Sequence, residues 1–214
     1  MFENVRGILD AVFEDFRLRF QNAKELRGYV PSWRLLNASD YGVPQLRPRV
    51  VFVAIRKADA AAWDWPTVLS DAPPTVADRI TDLLAANGWR GARKWAKQAT
   101  EIAPTIVGGS LKHGGPDLGP TRARKQWASL GVDGLGIADA APTKDFIGTP
   151  RLTVRMVARL QGFPDDWDLV GGKTATYKQV GNAFPPPVAE AVATRIRAAL
   201  AAADANRLKR KEAV

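Results

Sequence analysis

An α/β fold with a second, irregular lobe is what this sequence predicts, on three observations. The continuous β-branched and aromatic run from Arg49 to Ile55 (RVVFVAI) has the composition of a strand buried in a sheet. Apolar residues spaced by three and four mark helices towards both ends. Between about residues 57 and 150 the composition shifts to Ala, Gly, Pro, Trp and basic residues. With 214 residues, 46% hydrophobic and 25% charged, the chain can bury one good core, or a core and a smaller lobe.

In chain order, Leu9, Val12, Phe13, Phe16 and Phe20 alternate with charged residues and predict an amphipathic helix over 8–27, ended by Gly28. Residues 33–37 and 49–55 read as strands, and Pro44 and Pro48 keep the stretch between them out of any helix. The segment 57–150 is expected to hold one helix, 76–87, stopped by Gly88, and little other regular structure. After Pro150 come a helix over 154–161, a Gly-rich connection and a Pro-initiated helix over 187–203, with Val188, Val192, Ile196 and Leu200 on one face. The last eight residues, RLKRKEAV, are expected to fray.

Charge narrows the partners. Lys and Arg number 31 against 22 Asp and Glu, a net +9 that favours a polyanion. No apolar run approaches the roughly 18 residues of a membrane span, and no secretory signal is visible, so the chain reads as cytoplasmic, without a membrane partner. Its lack of cysteine excludes a thiol nucleophile, a disulfide or a thiolate metal site within these residues. His113 is the only histidine and reads as a loop residue, so neither a Ser-His-Asp set nor a metal site is expected. The glycine clusters VGGSLKHGG and GVDGLGI do not have the Gly-x4-Gly-Lys-Ser/Thr spacing that cradles phosphate.

The stretch from Asp40 to Ile55, DYGVPQLRPRVVFVAI, couples a turn to Gln45, Arg47 and Arg49. Alternate residues of an extended segment share a side, so the two arginines are expected to act together. A guanidinium forks onto phosphate or paired base acceptors, and a glutamine amide both donates and accepts beside it. A solvated strand end is the other reading of these three residues. From Gly88 to Trp127 eight basic residues stand against two acidic ones, with Trp89, Trp95 and Trp127 interleaved. Arg90, Arg93, Lys94, Lys112, Arg122, Arg124 and Lys125 are the candidates for contact with a nucleic-acid polyanion, by phosphate neutralisation and base-edge reading. The tryptophans read more readily as core of a small lobe.

Four segments, in order, resemble signature blocks of the DNA cytosine-5 methyltransferases. FENV at residues 2–5 is similar to the sixth block and YGVPQLRPRVVFVAI to the eighth. PRLTVRMVARLQGFPDDW resembles the ninth and YKQVGNAFPPPVAEAV the tenth. The resemblance spans nearly the whole chain and implies the C-terminal part of a Rossmann-like catalytic domain plus a target-recognition lobe. It divides the chain into catalytic residues 1–56, the lobe 57–150, the ninth and tenth blocks over 151–205, and a basic tail 206–214. It also implies methyl transfer from S-adenosylmethionine to C5 of a cytosine flipped out of duplex DNA. By resemblance Glu3 addresses the ring nitrogen, Asn4 shapes the site, Arg49 contacts the cytosine carbonyl, and Arg47 and Gln45 hold the strand end and nearby phosphate. Asn182 and Ala183 border the methionine end of the cofactor pocket on the same basis.

The family's Pro-Cys block and its cofactor loop, which precede Glu-Asn-Val, have no counterpart among these residues. The chain alone is therefore expected to be inactive, needing a partner polypeptide for the nucleophilic cysteine and most of the cofactor site. A truncated, catalytically inactive DNA-binding relic is the alternative. Met156 stands where the family has Glu, so Thr153 loses the carboxylate of a capping box, expected to cost on the order of 1 kcal/mol.

Overall fold

The computed structural model describes residues 1–69, 71–108 and 116–212. The chain forms two compact units, one of Met1–Asn37, Pro48–Val68 and Val188–Val214, the other of Ala38–Arg47 and Leu69–Pro187. These boundaries differ from the expected ones. The second unit takes the ninth block and most of the tenth along with the lobe, because those segments share one apolar core, and it takes the turn before Arg47 through the hydrogen bonds of Gln45 and Arg47.

The first unit is built on a three-stranded antiparallel sheet, β1 (Phe2–Val5), β2 (Tyr29–Asn37) and β3 (Pro48–Arg56), in the order β1-β3-β2. β3 lies in the middle, which is why its run can be apolar on both faces: Val50 to Val53 are all buried. Register sets Phe2 and Trp33 on either side of Phe52. Their rings pack 5.1 and 4.7 Å from it, and Phe20 closes edge-on at 5.1 Å. Cross-strand aromatic pairs of this kind fix which face is which. The long helix α7 (Pro186–Glu212) buries Val188, Val192, Ala199 and Ala203. It runs on through residues expected to fray.

The helix expected over 8–27 is shorter. Two 3-10 turns, Arg6–Leu9 and Ala11–Phe13, precede α1 (Glu14–Gln21), which has no buried residue. Val12, Phe13 and Phe16 are exposed although their spacing is that of a core-facing stripe. The periodicity was legible, whereas the surface it would cover is not formed by the described residues.

The second unit holds α2 (Val76–Ala85), α3 (Ala92–Ala96), α4 (Thr121–Ser129), α5 (Val154–Leu160) and α6 (Lys173–Asn182), more helix than expected for the lobe. Trp89, Trp95 and Trp127 are buried in its core, the reading favoured for them. Trp89 Nε1 donates to Phe146 O at 2.9 Å and Trp95 Nε1 to Gly131 O at 3.0 Å, while Trp127 Nε1 has no acceptor among the described residues. At the start of α2, Thr75 and Asp78 form a full capping box. At α5 the thioether takes the carboxylate's place: Met156 N donates to Thr153 Oγ1 at 3.3 Å and Thr153 N lies 3.4 Å from Met156 Sδ. The expected loss is thus corrected in part. Sulfur is a weak acceptor, but Met156 is only 1% exposed, and burying it is worth about 1.5–3 kcal/mol, more than a cap.

Asp59 fastens the far end of α7. Its carboxylate is buried and receives the guanidiniums of Arg207 and of Arg56. The bond from Arg207, foremost, holds its pKa below the usual carboxylate value. A depressed carboxyl contributes its stabilisation above the unfolded value, about pH 4, and loses it as pH falls through the folded one. Amide-exchange protection of residues 204–209, corrected for intrinsic rate, should therefore fall on acidification below about pH 4. Asp59→Asn should show the unprotected level already at neutral pH.

Candidate active site

Glu3 lies on β1 opposite Val51, and Arg49 lies on β3 opposite Val5. Residues two apart on a strand share a face, so the two side chains are diagonal neighbours on the side of the sheet away from the aromatic cluster. Glu3 Oε2 is 3.4 Å from Arg49 Nε, and the Arg49 side chain is 13% exposed. Arg49 also donates from Nη1 to Pro48 O at 2.9 Å. Burial pulls the guanidinium below its ordinary pKa and the charge of Glu3 opposes that shift. Glu3 Oε2 is shielded from water and accepts no hydrogen bond from the described residues. Asn4 is exposed, and its Oδ1 accepts from Val5 N at 2.8 Å, which shapes the strand end.

Gln45 and Arg47 do something else. The strand begins at Pro48, so Arg47 lies before it and in the second unit, and the alternation expected to pair it with Arg49 does not apply. Its side chain is fully buried. Nη1 donates to Ile106 O, and Nη2 donates to Gly181 O at 2.7 Å and Ala183 O at 2.9 Å. Gln45, equally buried, accepts from Ile106 N at 2.7 Å and donates to Gln161 Oε1 at 2.5 Å. Gln161 completes the set by donating to Ala183 O at 2.9 Å. The expectation that Gln45 and Arg47 grip phosphate is corrected: their polar atoms are directed at backbone within the unit, because buried donors must find acceptors. Gln161 is a residue that sequence reasoning passed over, and the Arg-Leu-Gln triplet of residues 159–161 was its only signal.

This buried network anchors the end of α6. Gly181 touches residues 107 and 108 so closely that a methyl group there would lie 2.7 Å from Val107 O and Gly108 Cα. Asn182 follows it, exposed and with its carboxamide not hydrogen-bonded to the described residues; Ala183 is half-buried. Tyr177, one helical turn earlier, is buried and donates to Asp117 O at 2.6 Å. Burial, foremost, pushes its phenol well above the usual value, so it stays a donor.

Of the basic candidates, Arg93 and Lys94 are exposed on α3, and Arg122 and Lys125 on α4. Arg124 is half-buried, and Arg90 pairs with Asp145 at 3.0 Å. Lys112 and His113 lie outside the described residues. The described candidates share the second unit with Asn182.

The family model described as C-5 cytosine-specific DNA methylase matches residues 1–198. The chain is 56% identical over 203 residues to the Type II methyltransferase M.NaeI of Lentzea aerocolonigenes, an alignment covering 94% of the chain and 49% of that protein. It is 47% identical over 205 residues to M.NgoMIV of Neisseria gonorrhoeae, covering 94% of the chain and 64% of the relative. The chain therefore spans about half to two thirds of the length of these relatives. Among solved structures, S. pombe Dnmt2 methyltransferase superposes with a TM-score of 0.52 at 16% identity, over 91% of this chain and 64% of that one, a likeness of fold.

Arg47→Lys should lower stability by on the order of 3 kcal/mol, since one ammonium cannot serve three fixed carbonyls from the same stem. Urea unfolding followed by tryptophan fluorescence reads the change, and a midpoint equal to wild type would mean that the three bonds carry no net weight.

Proposed function

The chain belongs to the C-5 cytosine-specific DNA methylase family, and on that premise we propose that it is the C-terminal portion of a DNA (cytosine-5)-methyltransferase acting on a cytosine flipped from duplex DNA. The observation that carries the reading is Glu3. A carboxylate oxygen kept from water, with an ion pair at 3.4 Å but no hydrogen bond from the described residues, is incompletely compensated, and a ligand that brings a well-placed donor relieves that cost. Ring N3 of cytosine is such a group once protonated. Glu3 passes a proton from solvent to N3 as a thiolate adds at C6 and then accepts from the N3–H, and so stabilises charge where it develops. Arg49, desolvated beside it, donates to the O2 carbonyl. Asn4 keeps the strand end in place.

No cysteine occurs in these 214 residues, so the thiolate is carried by polypeptide beyond them. Two observations support this: the relatives are longer by a half or more, and the apolar stripe of Val12, Phe13 and Phe16 is exposed. S-adenosylmethionine, when bound, supplies the methyl group. The exposed amide of Asn182 suits one border of its pocket, held in place by the carbonyl bonds of Arg47 to residues on either side of it. The exposed arginines and lysines of α3 and α4 serve phosphate neutralisation.

Co-expression with the portion of M.NaeI that this chain does not match tests the reading by transfer of labelled methyl to duplex DNA. The mixture should label DNA, the chain alone should not, and Glu3→Gln in the mixture should lower the rate by about 10²-fold or more. Labelling by the chain alone would refute the borrowed thiolate. An inactive mixture that still binds DNA would favour the relic.

A further inference from the structure

The loop Thr143–Thr149 is braced beyond what its length requires. Phe146 N donates to Thr143 O at 3.1 Å, and Arg90 N donates to Lys144 O at 3.3 Å. Trp89 Nε1 donates to Phe146 O at 2.9 Å, and its ring meets the Phe146 ring edge-on at 5.9 Å. The Arg90 guanidinium pairs with Asp145 at 3.0 Å. Gly148, at φ 124, turns the chain back in a conformation that a side chain would strain.

Ile147 stands at the tip of this brace and is 95% exposed, more than any other large apolar side chain among the described residues. An exposed apolar residue on a mobile segment means little. Here the bonds to residues 143, 144 and 146 hold the adjoining backbone, and the β-branch restricts χ1, so less rotamer freedom is lost on contact. Ile147 and Lys94 line one cleft of about 320 Å³, floored by Trp89 and Trp95. Arg93 and Lys144 are exposed on the neighbouring segments. One apolar tip among cations does not suit a protein interface, whose core is broad and poor in lysine. It does suit a groove of DNA, where thymine methyl groups offer apolar contact between two lines of phosphate.

We infer that Ile147 is a specificity-determining residue, its side chain making apolar contact with base edges while Lys94 holds the adjacent phosphate. The inference rests on the DNA reading above. A random-sequence duplex pool is the probe, selected for binding to the full chain, alone and with the complementing segment, for wild type, Ile147→Ala, Ile147→Val and Lys94→Gln. Wild type should enrich a consensus. Ile147→Ala should lose discrimination at one or two adjacent positions by at least about fivefold, with unchanged unfolding midpoint, and Ile147→Val should restore most of it. Lys94→Gln should weaken binding to all sequences alike and reduce the salt slope by about one. The same consensus from wild type and Ile147→Ala, at equal discrimination, overturns the inference while leaving DNA as substrate. No retention of any duplex by wild type at low salt overturns the DNA reading, and this inference with it.

Discussion

A guanidinium sealed away from water has to find acceptors in fixed places, and the order of the second unit follows from how Arg47 does so. Its acceptors, Ile106 O, Gly181 O and Ala183 O, lie 59, 134 and 136 residues along the chain. The planar fork serves them from two nitrogens held at a fixed spacing, whereas an ammonium gathers its three donors on one nitrogen and an amide has only two. Gln45 and Gln161 then close the remaining gaps between the same segments. These bonds tie the segments to one another, and removing any one partner would leave a desolvated polar group in the interior.

Two acidic groups beside arginines show how similar constellations diverge. Asp59 has guanidiniums on both oxygens, and its bonds hold a helix end. Glu3 has one arginine, 3.4 Å from the same Oε2 that accepts no hydrogen bond from the described residues. The saturated carboxylate is a fastening, while the unsaturated one retains capacity for a ligand. Charge sign and neighbour type are the same, so it is the count of donors that separates the roles.

Elements whose pattern is local were legible from the residues. The β3 run, the helices at 76 and 154, the start of the helix at 187 and the terminating Gly88 all formed within a few residues of expectation, whereas that last helix runs nine residues past its expected end. Three features were not legible, each because a distant segment decides it. Arg47 was read on strand alternation, but its environment is set by carbonyls more than fifty residues away. Helix formation over 8–27 was read from an apolar stripe, yet only Phe20 finds aromatic partners in the sheet. The lobe boundary followed composition, whereas the units follow the core. Of the site, the positions of Glu3 and Arg49 came from resemblance, and their diagonal pairing came from register.

The crossing at Gly181 has a consequence for how this sequence can drift. An added carbon at 181 meets main-chain atoms of 107 and 108, which no neighbouring change can remove. At Gly108 the obstacle is instead the side chain of Asn182, so a larger residue at 108 becomes accessible once 182 shrinks. One codon is thus closed outright, and two others are open only as a correlated pair, a pattern imposed by steric exclusion whatever chemistry selection asks for.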